Sequence, residues 1–294
     1  MKNEFKGVIT ALITPFKNGE VDFLSLQKLI EYQIQGEVDG FVINGTTGES
    51  PTLTASEVKE IFIFIRKIVG QSKTLILGTG SNSTITTIKN NELAAECQAD
   101  AALVVVPYYN KPPQRGLVEH FKIVAEKSKT PILLYNVPGR TITNLSLESV
   151  IELSKVKNIV GIKEASGDIS FDLKLKNLVN SNFRLLSGDD GTYVDFLKLG
   201  GHGIISVMSN IIPFETQRWT KQVQSGILEE AENNFRIYKK FIDSIYIEAN
   251  PIPVKWMLFK KGIISSPELR LPLTALDTKF IEDVEKTMRE IKII

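Results

Sequence analysis

Residues 158–168 read NIVGIKEASGD, a short apolar run that ends in a lysine and is followed by small and polar residues. The run is rich in Val and Ile and does not alternate strictly with polar residues, which is typical of a parallel strand covered on both faces. Lys163 stands at the end of this run, where an ammonium ion is poorly solvated. The stretch predicts a buried strand that carries a lysine at its carboxyl end.

Seven further runs of this kind occur along the chain. Together the eight runs cover residues 7–14, 40–45, 74–80, 101–109, 131–138, 158–165, 183–190 and 201–210. Helical patterns lie between most of them, at the spacing of βα units, which predicts an α/β fold and specifically a closed TIM (β/α)₈ barrel. An open doubly wound sheet is the alternative. It is disfavoured because the first strand is followed by ITPFKNG, which lacks the glycine fingerprint of a dinucleotide site.

The pattern changes from about residue 215. ETQRWTKQVQSG, ILEEAENNFRIYKKFIDSIYIEA and the tail after Asp277 show helical periodicity and no further strand runs. We therefore expect residues 1–214 to form the barrel and residues 215–294 to form a small C-terminal helical domain. Within that domain lies NPIPVKW (250–256), a proline-bounded bend between helices that we call the C-terminal elbow.

Composition restricts the class of protein. Lys and Arg total 35 against 34 Asp and Glu, a formal net charge of +1, and no long run has one sign. A nucleic-acid partner or an anionic membrane surface requires a clustered basic patch, so neither is expected. The single cysteine, Cys97, cannot form an intrachain disulfide, and no apolar run reaches the roughly 20 residues that span a bilayer. These features predict a cytoplasmic protein.

A barrel of this kind carries its chemistry at the carboxyl ends of its strands. There the sequence offers hydroxyls, tyrosines, one lysine and one arginine, in the segments NGTTGE, GTGSN, PYYNKP, YNVPGR, IKEASG and SGDD. These ends lack the cluster of His and carboxylate side chains that a catalytic metal needs, since His120 and His202 lie elsewhere, so no metal or other cofactor is expected. Asp189 and Asp190 form an acidic pair, for which we favour a structural turn over a Mg²⁺ site.

The lack of metal ligands directs attention to Lys163. A lysine in water is almost wholly protonated at pH 7, whereas an apolar strand end disfavours the charged form. The neutral amine is a nucleophile that forms a Schiff base with a ketone. The alternative is a lysine at the barrel rim paired with Glu164 or an aspartate. Tyr135 favours the nucleophile, because it ends the preceding strand about 4.8 Å away and its hydroxyl can transfer protons to the same ligand.

Two further features indicate a carboxylate ligand. The segment NGTTGES (44–50), which we call the threonine loop, places the hydroxyls of Thr46 and Thr47 among glycines that permit close backbone approach. Arg140 follows a Pro-Gly turn and can bind a carboxylate through two hydrogen bonds. Each feature has an ordinary alternative, because glycine-threonine segments also form plain turns and an arginine also forms surface salt bridges.

Taken together, these segments resemble a known family. GTTGES, PYYNKP, YNVPGRT, GIKEASGD, LLSGDD, GGHGIISV and NPIPVKW stand here in the order found in the dihydrodipicolinate synthases. That family belongs to the class I pyruvate-aldolase superfamily, which also contains N-acetylneuraminate lyase. The likeness extends from Gly7 to Pro272. It implies a lyase of diaminopimelate and lysine biosynthesis that condenses pyruvate with aspartate semialdehyde.

The resemblance assigns catalytic roles to four residues. Lys163 matches the lysine that forms an imine with pyruvate, whose C3 then attacks the aldehyde as an enamine. Tyr135, Thr46 and Tyr109 match a proton-relay triad, in which Tyr109 enters the partner subunit's site across a tight dimer. The usual assembly in the family is a dimer of dimers, so the resemblance implies a homotetramer.

Four further residues match substrate-binding positions. Thr47 and nearby backbone amides correspond to the site of the pyruvate carboxylate, and Arg140 to the residue that holds the carboxylate of the second substrate. Gly188 and Ile205 correspond to residues that line the pocket. Within the superfamily, the Thr-Thr pair and Arg140 favour the synthase over a sialic-acid or sugar-acid lyase. Such lyases generally carry Ser-Thr in place of the pair and lack the arginine. A barrel that has lost catalysis and serves as a binding or regulatory protein is the alternative outside enzymes.

The family also has an allosteric lysine site. The matching residues here are Ser50, Asn82 and Tyr108. Lysine-inhibited members commonly carry His, His and Glu at three other positions, which here are Ala55, Val58 and Thr86. The ammonium group of a lysine ligand thereby loses a carboxylate partner, so we expect weak or no inhibition by lysine.

Overall fold

The computed structural model describes residues 5–294. Eight parallel strands close into a barrel: β1 (Gly7–Ala11), β2 (Gly40–Ile43), β3 (Thr74–Gly78), β4 (Ala101–Val105), β5 (Ile132–Asn136), β6 (Ile159–Glu164), β7 (Arg184–Ser187) and β8 (Gly203–Ser206). Strand β1 is hydrogen-bonded to both β2 and β8, which closes the sheet. The predicted barrel is therefore confirmed, and the open-sheet alternative is wrong.

Helices follow the strands and cover the outside of the barrel. Up to strand β8 they are α1 (Phe23–Gln35), α2 (Ala55–Val69), α3 (Thr84–Glu96), α4 (Gln114–Lys127), α5 (Pro138–Thr141), α6 (Leu147–Leu153), α7 (Ile169–Leu178) and α8 (Tyr193–Lys198). Short 3₁₀ turns occupy Thr46–Gly48, Ser50–Thr52 and Met208–Asn210. At the start of α2, the Thr54 hydroxyl accepts from the backbone N–H of Glu57, whose carboxylate accepts from the N–H of Thr54. This capping box satisfies two N–H groups that the helix leaves free.

Side chains alternate along each strand between two apolar cores. On β5, Leu133 and Tyr135 face the barrel interior, whereas Ile132 and Leu134 face the layer between strands and helices. Lys163 of β6 pairs in register with Tyr135, so it also points into the barrel. The period of two residues thus decides which strand-end side chains can reach a common ligand.

A two-stranded antiparallel hairpin, Phe16–Lys17 with Glu20–Val21, follows β1 and is not predicted from the sequence. Its turn contains Asn18 and Gly19, both with positive φ. Strands of two residues carry too little periodicity to be recognised in a sequence. The predicted first run, residues 7–14, is also longer than the observed strand β1, which ends at Ala11.

The C-terminal segment is helical, as predicted. It contains α9 (Pro213–Gln224), α10 (Leu228–Ile237), α11 (Lys239–Ile245), α12 (Ile252–Lys260) and α13 (Thr278–Glu290). The elbow is only partly the predicted bend: the chain turns between α11 and α12 up to Pro251, and residues 252–256 form the start of α12. The proposed division between residues 1–214 and 215–294 stays a prediction; it falls in the first turn of α9, which packs against β1 and α8. Within the part of the chain that the structure describes, no helix has the length and apolar character needed to cross a membrane.

Candidate active site

A cavity of about 750 Å³ opens at the carboxyl ends of the barrel strands. Six residues predicted for the site line it: Thr46, Thr47, Tyr135, Arg140, Lys163 and Gly188. The C-terminal helices and the elbow contribute Ile242, Tyr246 and Asn250 to its wall. A concave site with apolar walls and a few convergent polar groups is typical of small-molecule binding.

Lys163 lies at the bottom of this cavity and is 6% exposed. Its Nζ lies 4.3 Å from the centroid of the Tyr135 ring. Glu164 points to the other side of the strand, where its carboxylate accepts from the Asn136 side chain (2.8 Å) and from the backbone N–H of Ser166 (2.6 Å). Among the described residues, no carboxylate forms an ion pair with Lys163. The rim salt bridge considered from the sequence is therefore wrong, because the strand alternation separates Lys163 from Glu164.

Gly188, which follows β7, makes room for the Lys163 side chain. A Cβ atom at this position would lie 2.7 Å from Cε of Lys163 and 2.6 Å from Cβ of Ala165. Carbon atoms in ordinary contact are about 3.5–4.0 Å apart. A larger residue therefore displaces the lysine, so the glycine is part of the geometry of the site.

The threonine loop follows β2 and brings two hydroxyls to the cavity. Thr47 is 3% exposed, and its Oγ1 accepts a hydrogen bond of 2.9 Å from the side-chain amide of Asn250. Because Asn250 donates to this oxygen, the hydroxyl hydrogen of Thr47 is available for a ligand. Thr46 lines the same cavity, and within residues 5–294 its hydroxyl has no protein partner. The loop therefore presents two hydrogen-bond donors beside Lys163.

Arg140 lies on the short helix α5 at the mouth of the cavity. Its Nη2 donates to the backbone carbonyl of Asn250 at 3.3 Å. In the described part of the chain it forms no ion pair, so the surface salt bridge considered from the sequence is wrong. A guanidinium that is anchored on one side and open on the other can bind an incoming carboxylate.

Two residues assigned by the resemblance lie apart from this group. Tyr109 is 87% exposed, has a φ of 75° and does not line the cavity of its own chain. Ile205 is 1% exposed and packs in the barrel interior. The structure thus brings together Lys163, Tyr135 and Thr46 from one chain but leaves Tyr109 on the surface.

The residues matched to the allosteric site lie on one side of the cavity or next to it. Ser50, Tyr108 and Thr86 line the cavity, and the backbone carbonyl of Asn82 accepts from the Asn110 side chain. Val58 is buried in the core between strands and helices. An apolar, buried side chain therefore occupies a position at which the family resemblance leads one to look for a histidine in a lysine-inhibited enzyme.

The acidic pair that follows β7 stabilises turns. Asp189 accepts from the backbone N–H and the hydroxyl of Thr192. Asp190 is buried and accepts from Tyr246 (2.7 Å) and from two backbone N–H groups, and burial raises its pKa. In residues 5–294 no group of three or more His, Cys, Asp or Glu side chains is arranged to hold a metal ion. The favoured interpretation as a structural turn thus agrees with the observed contacts.

Sequence reasoning missed a fully buried ion pair under the threonine loop. Nζ of Lys255, in the C-terminal elbow, lies 2.5 Å from a carboxylate oxygen of Glu49, and neither side chain has any exposure. Burial lowers the pKa of Lys255 to about 8, while the Glu49 carboxylate acts in the opposite direction, so the ammonium form prevails at neutral pH. A lysine inside the apolar elbow is the signal in the sequence, but its partner lies 206 residues away.

A second buried carboxyl group, also missed, lies on α7 outside the barrel. Asp172 is 7% exposed. Burial, together with the nearby carboxylates of Glu164, Asp168 and Asp189, raises the pKa of Asp172 to about 7. Burial also raises the pKa of Glu164. Asp172 therefore keeps its proton up to a higher pH in the folded protein than in the unfolded chain.

A (β/α)₈ barrel with a buried lysine that pairs with no described carboxylate and lies beside a tyrosine at its carboxyl end is the arrangement typical of class I aldolases, the class in which a lysine amine forms a Schiff base with a carbonyl substrate. The comparison with sequence families is more specific. The chain belongs to the Dihydrodipicolinate synthetase family, whose profile matches residues 4–291.

Individual members of this family match the chain over nearly its whole length in sequence and in structure. The 4-hydroxy-tetrahydrodipicolinate synthase of Bdellovibrio bacteriovorus is 53% identical over 294 residues, which cover 100% of both chains. The solved dihydrodipicolinate synthase of Thermotoga maritima is 39% identical with a TM-score of 0.96, covering 99% of this chain and 100% of that one. The enzyme of Acinetobacter baumannii complexed with pyruvate is 38% identical with a TM-score of 0.95, covering 98% and 99%. These matches confirm the predicted family, the lyase class and the predicted function.

Proposed function

We propose that this chain condenses pyruvate with aspartate semialdehyde through a Schiff base on Lys163, in the diaminopimelate and lysine pathway. The observation that carries the proposal is the buried Lys163 amine, unpaired with any described carboxylate and 4.3 Å from the Tyr135 ring. Support comes from relatives named as 4-hydroxy-tetrahydrodipicolinate synthases and from the pyruvate complex of the Acinetobacter baumannii enzyme.

The first half-reaction activates pyruvate. The Lys163 amine adds to C2 of pyruvate and gives a carbinolamine. The carbinolamine hydroxyl takes up a proton and leaves as water, and the hydroxyls of Tyr135 and Thr46, which line the same cavity, supply this proton. The imine withdraws electrons from C3, so loss of a C3 proton gives the enamine. Thr47 donates its free hydroxyl hydrogen to the pyruvate carboxylate, because Asn250 occupies its oxygen from the other side.

The second half-reaction joins the two substrates. The enamine C3 forms a bond to the aldehyde carbon of aspartate semialdehyde, and the aldehyde oxygen takes up a proton to become a hydroxyl group. The amino group of the second substrate then attacks C2 and displaces the Lys163 amine, which closes the ring and regenerates the enzyme. Arg140, anchored on the carbonyl of Asn250 at the cavity mouth, holds the carboxylate of this substrate during both steps.

The proposal includes Tyr109 as the member of the proton relay that a partner subunit supplies, and a dimer of dimers as the assembly. Tyr109 and Ile142 lie on neighbouring loops after β4 and β5, are 87% and 71% exposed, and have φ angles of 75° and 63°. A left-handed conformation is unfavourable for side chains of this size, above all for a β-branched one. Large exposed side chains on a strained backbone support a subunit interface at this place.

The proposal also covers regulation and location. Ser50, Asn82 and Tyr108 are present, but Ala55, Val58 and Thr86 stand where lysine-inhibited members commonly carry His, His and Glu, so a lysine ligand loses a carboxylate partner and feedback inhibition is weak or absent. The biosynthetic role of its relatives supports a cytoplasmic location.

A side-by-side assay tests the substrate assignment. The purified protein is given pyruvate with aspartate semialdehyde, and separately pyruvate with N-acetylmannosamine, the aldehyde partner of a sialic-acid lyase. We expect turnover with aspartate semialdehyde to exceed the other by at least about 10³-fold, because Arg140 binds a carboxylate that the sugar lacks. Arg140→Ala should raise KM for aspartate semialdehyde more than KM for pyruvate. Equal turnover of both aldehydes contradicts the assignment.

A further inference from the structure

The threonine loop has a conformation that its own sequence does not favour. Thr46–Gly48 form a single 3₁₀ turn, and Glu49 follows with a φ of 59° and a ψ of 40°, in the left-handed region. A residue with a side chain adopts this region rarely, and it persists where surrounding contacts impose it. The contacts of Glu49 therefore decide whether Thr46 and Thr47 face the cavity.

Glu49 is held from the C-terminal segment through both carboxylate oxygens. Oε1 accepts from Nζ of Lys255 at 2.5 Å, and Oε2 accepts from the backbone N–H of Arg270 at 3.0 Å. Lys255 in turn donates to the backbone carbonyl of Glu268 at 2.6 Å. The side chains of Glu49 and Lys255 have no exposure, so water does not replace either partner.

The charges in this region leave Lys255 as the counter-ion of Glu49. Arg270 directs its guanidinium to Glu57, with Nη1 at 3.1 Å from a carboxylate oxygen. Both cations contact the ring of Phe16, whose centroid lies 4.2 Å from Nζ of Lys255 and 4.3 Å from Cζ of Arg270. Loss of the Lys255 ammonium therefore removes the one ion-pair partner that Glu49 has among residues 5–294 and leaves its buried carboxylate with the backbone N–H of Arg270 as its remaining donor, and such a group moves towards water.

The C-terminal elbow thus anchors the threonine loop twice. Asn250, at the start of the elbow, donates to Thr47, and Lys255, near its end, binds Glu49 two residues further along the loop. Movement of Glu49 towards water shifts the intervening Gly48 and with it the hydroxyl of Thr47.

We propose that Glu49 and Lys255 are positioning residues of the active site: their buried ion pair holds the threonine loop in the conformation in which Thr46 and Thr47 face the cavity. The inference rests on the proposed function, in which Thr47 binds the pyruvate carboxylate. Breaking the pair should weaken pyruvate binding, whereas Lys163 itself stays in place on β6 and keeps its ability to form the imine.

The test uses three variants of the ion pair: Lys255→Met, Glu49→Gln and the double variant that carries both substitutions. Lys260→Met is the control. Lys260 lies on the same helix, α12, and its ion pair with Glu285 is 42% and 19% exposed, so it is a matched control away from the loop. The measurements are KM for pyruvate, and the pyruvate concentration that gives half-maximal borohydride trapping on Lys163. We expect both to rise tenfold or more in Lys255→Met, with full trapping at saturating pyruvate, and to stay within twofold in Lys260→Met.

The double variant separates positioning from stability. Glu49→Gln with Lys255→Met removes both buried charges, so its melting temperature should exceed that of Lys255→Met, while the half-saturating pyruvate concentration stays raised. A merely structural pair gives folded variants with lowered melting temperatures and wild-type pyruvate constants, and that result overturns the inference. Should Lys255→Met not fold, Glu49→Gln, which keeps the size of the side chain, decides by the same criterion. Lack of trapping in the unsubstituted protein refutes the proposed function instead.

Discussion

Gly188→Ala is the substitution whose effect follows most directly from the geometry of the site. The new Cβ would lie 2.7 Å from Cε of Lys163 and 2.6 Å from Cβ of Ala165. Since carbon atoms in contact are about 3.5–4.0 Å apart, both contacts have to lengthen by about 1 Å, and at Ala165, whose Cβ is fixed to the backbone, this requires a backbone shift. Lys163 is the one with free torsion angles and no ion pair to any described residue, so the reacting amine is displaced.

A displacement of about 1 Å at a reacting atom costs roughly 10²-fold in rate, which corresponds to about 2.7 kcal/mol of transition-state stabilisation. We therefore expect kcat with pyruvate and aspartate semialdehyde to fall about 10²-fold in Gly188→Ala. Overpacking also lowers the free energy of unfolding by about 1–3 kcal/mol. The rate of borohydride trapping at saturating pyruvate should fall in parallel with kcat, because both depend on the position of Nζ.

Gly116→Ala is the matched control. Gly116 is a half-buried residue in the first turn of α4, and a Cβ there would be 3.5 Å from its nearest neighbour, an ordinary contact. In a helix this substitution should be neutral or slightly stabilising, with unchanged kcat. A Gly188→Ala variant that keeps kcat and the trapping rate within twofold of the unsubstituted protein would refute the reasoning.

Three further predictions concern residues around the site. Because the pKa of Asp172 is raised to about 7 in the folded state, its contribution to stability falls as the pH rises from about 4 to 7. Asp172→Asn should remove this fall. The substitution should therefore change the free energy of unfolding more favourably at pH 8 than at pH 5, by on the order of 1–3 kcal/mol. An equal change at both pH values, measured by urea unfolding, would contradict it. Tyr109→Phe should lower kcat about 10²-fold without a change in melting temperature, and an isolated monomer with full activity would show that the partner's hydroxyl is not needed. Free lysine should inhibit the condensation weakly or not at all, and an inhibition constant in the micromolar range would contradict this prediction.

The barrel could be predicted because each of its strands leaves a signal of several residues. The runs that lead to Lys163 and Tyr135 are mostly apolar and do not alternate strictly with polar residues, as expected of strands covered on both faces. The hairpin at Phe16–Lys17 could not be predicted, since two residues carry no period. At Lys163 the neighbouring Tyr135 favours a nucleophile over a salt bridge from the sequence alone, but the faces of β6 that Lys163 and Glu164 occupy are seen only in the structure.

The site could be predicted where its residues end strands, and not where the chain brings distant segments together. Thr47 follows β2 in the sequence, but its partner Asn250 lies in the elbow, and nothing in the local pattern links the two. The same holds for Glu49 and Lys255, whose contact is established only when the C-terminal helices pack on the barrel. Tyr109 could be assigned through the family resemblance alone, since in its own chain it lies outside the cavity.

Borohydride reduction in the presence of pyruvate tests the central claim most directly. The protein is incubated with pyruvate and sodium borohydride, its intact mass is measured, and the modified peptide is sequenced by mass spectrometry. The proposed mechanism predicts one reduced pyruvate adduct for each chain, located on Lys163 and missing in Lys163→Ala. An active protein without an adduct, or an adduct on another lysine, would contradict the claim that Lys163 is the Schiff-base residue.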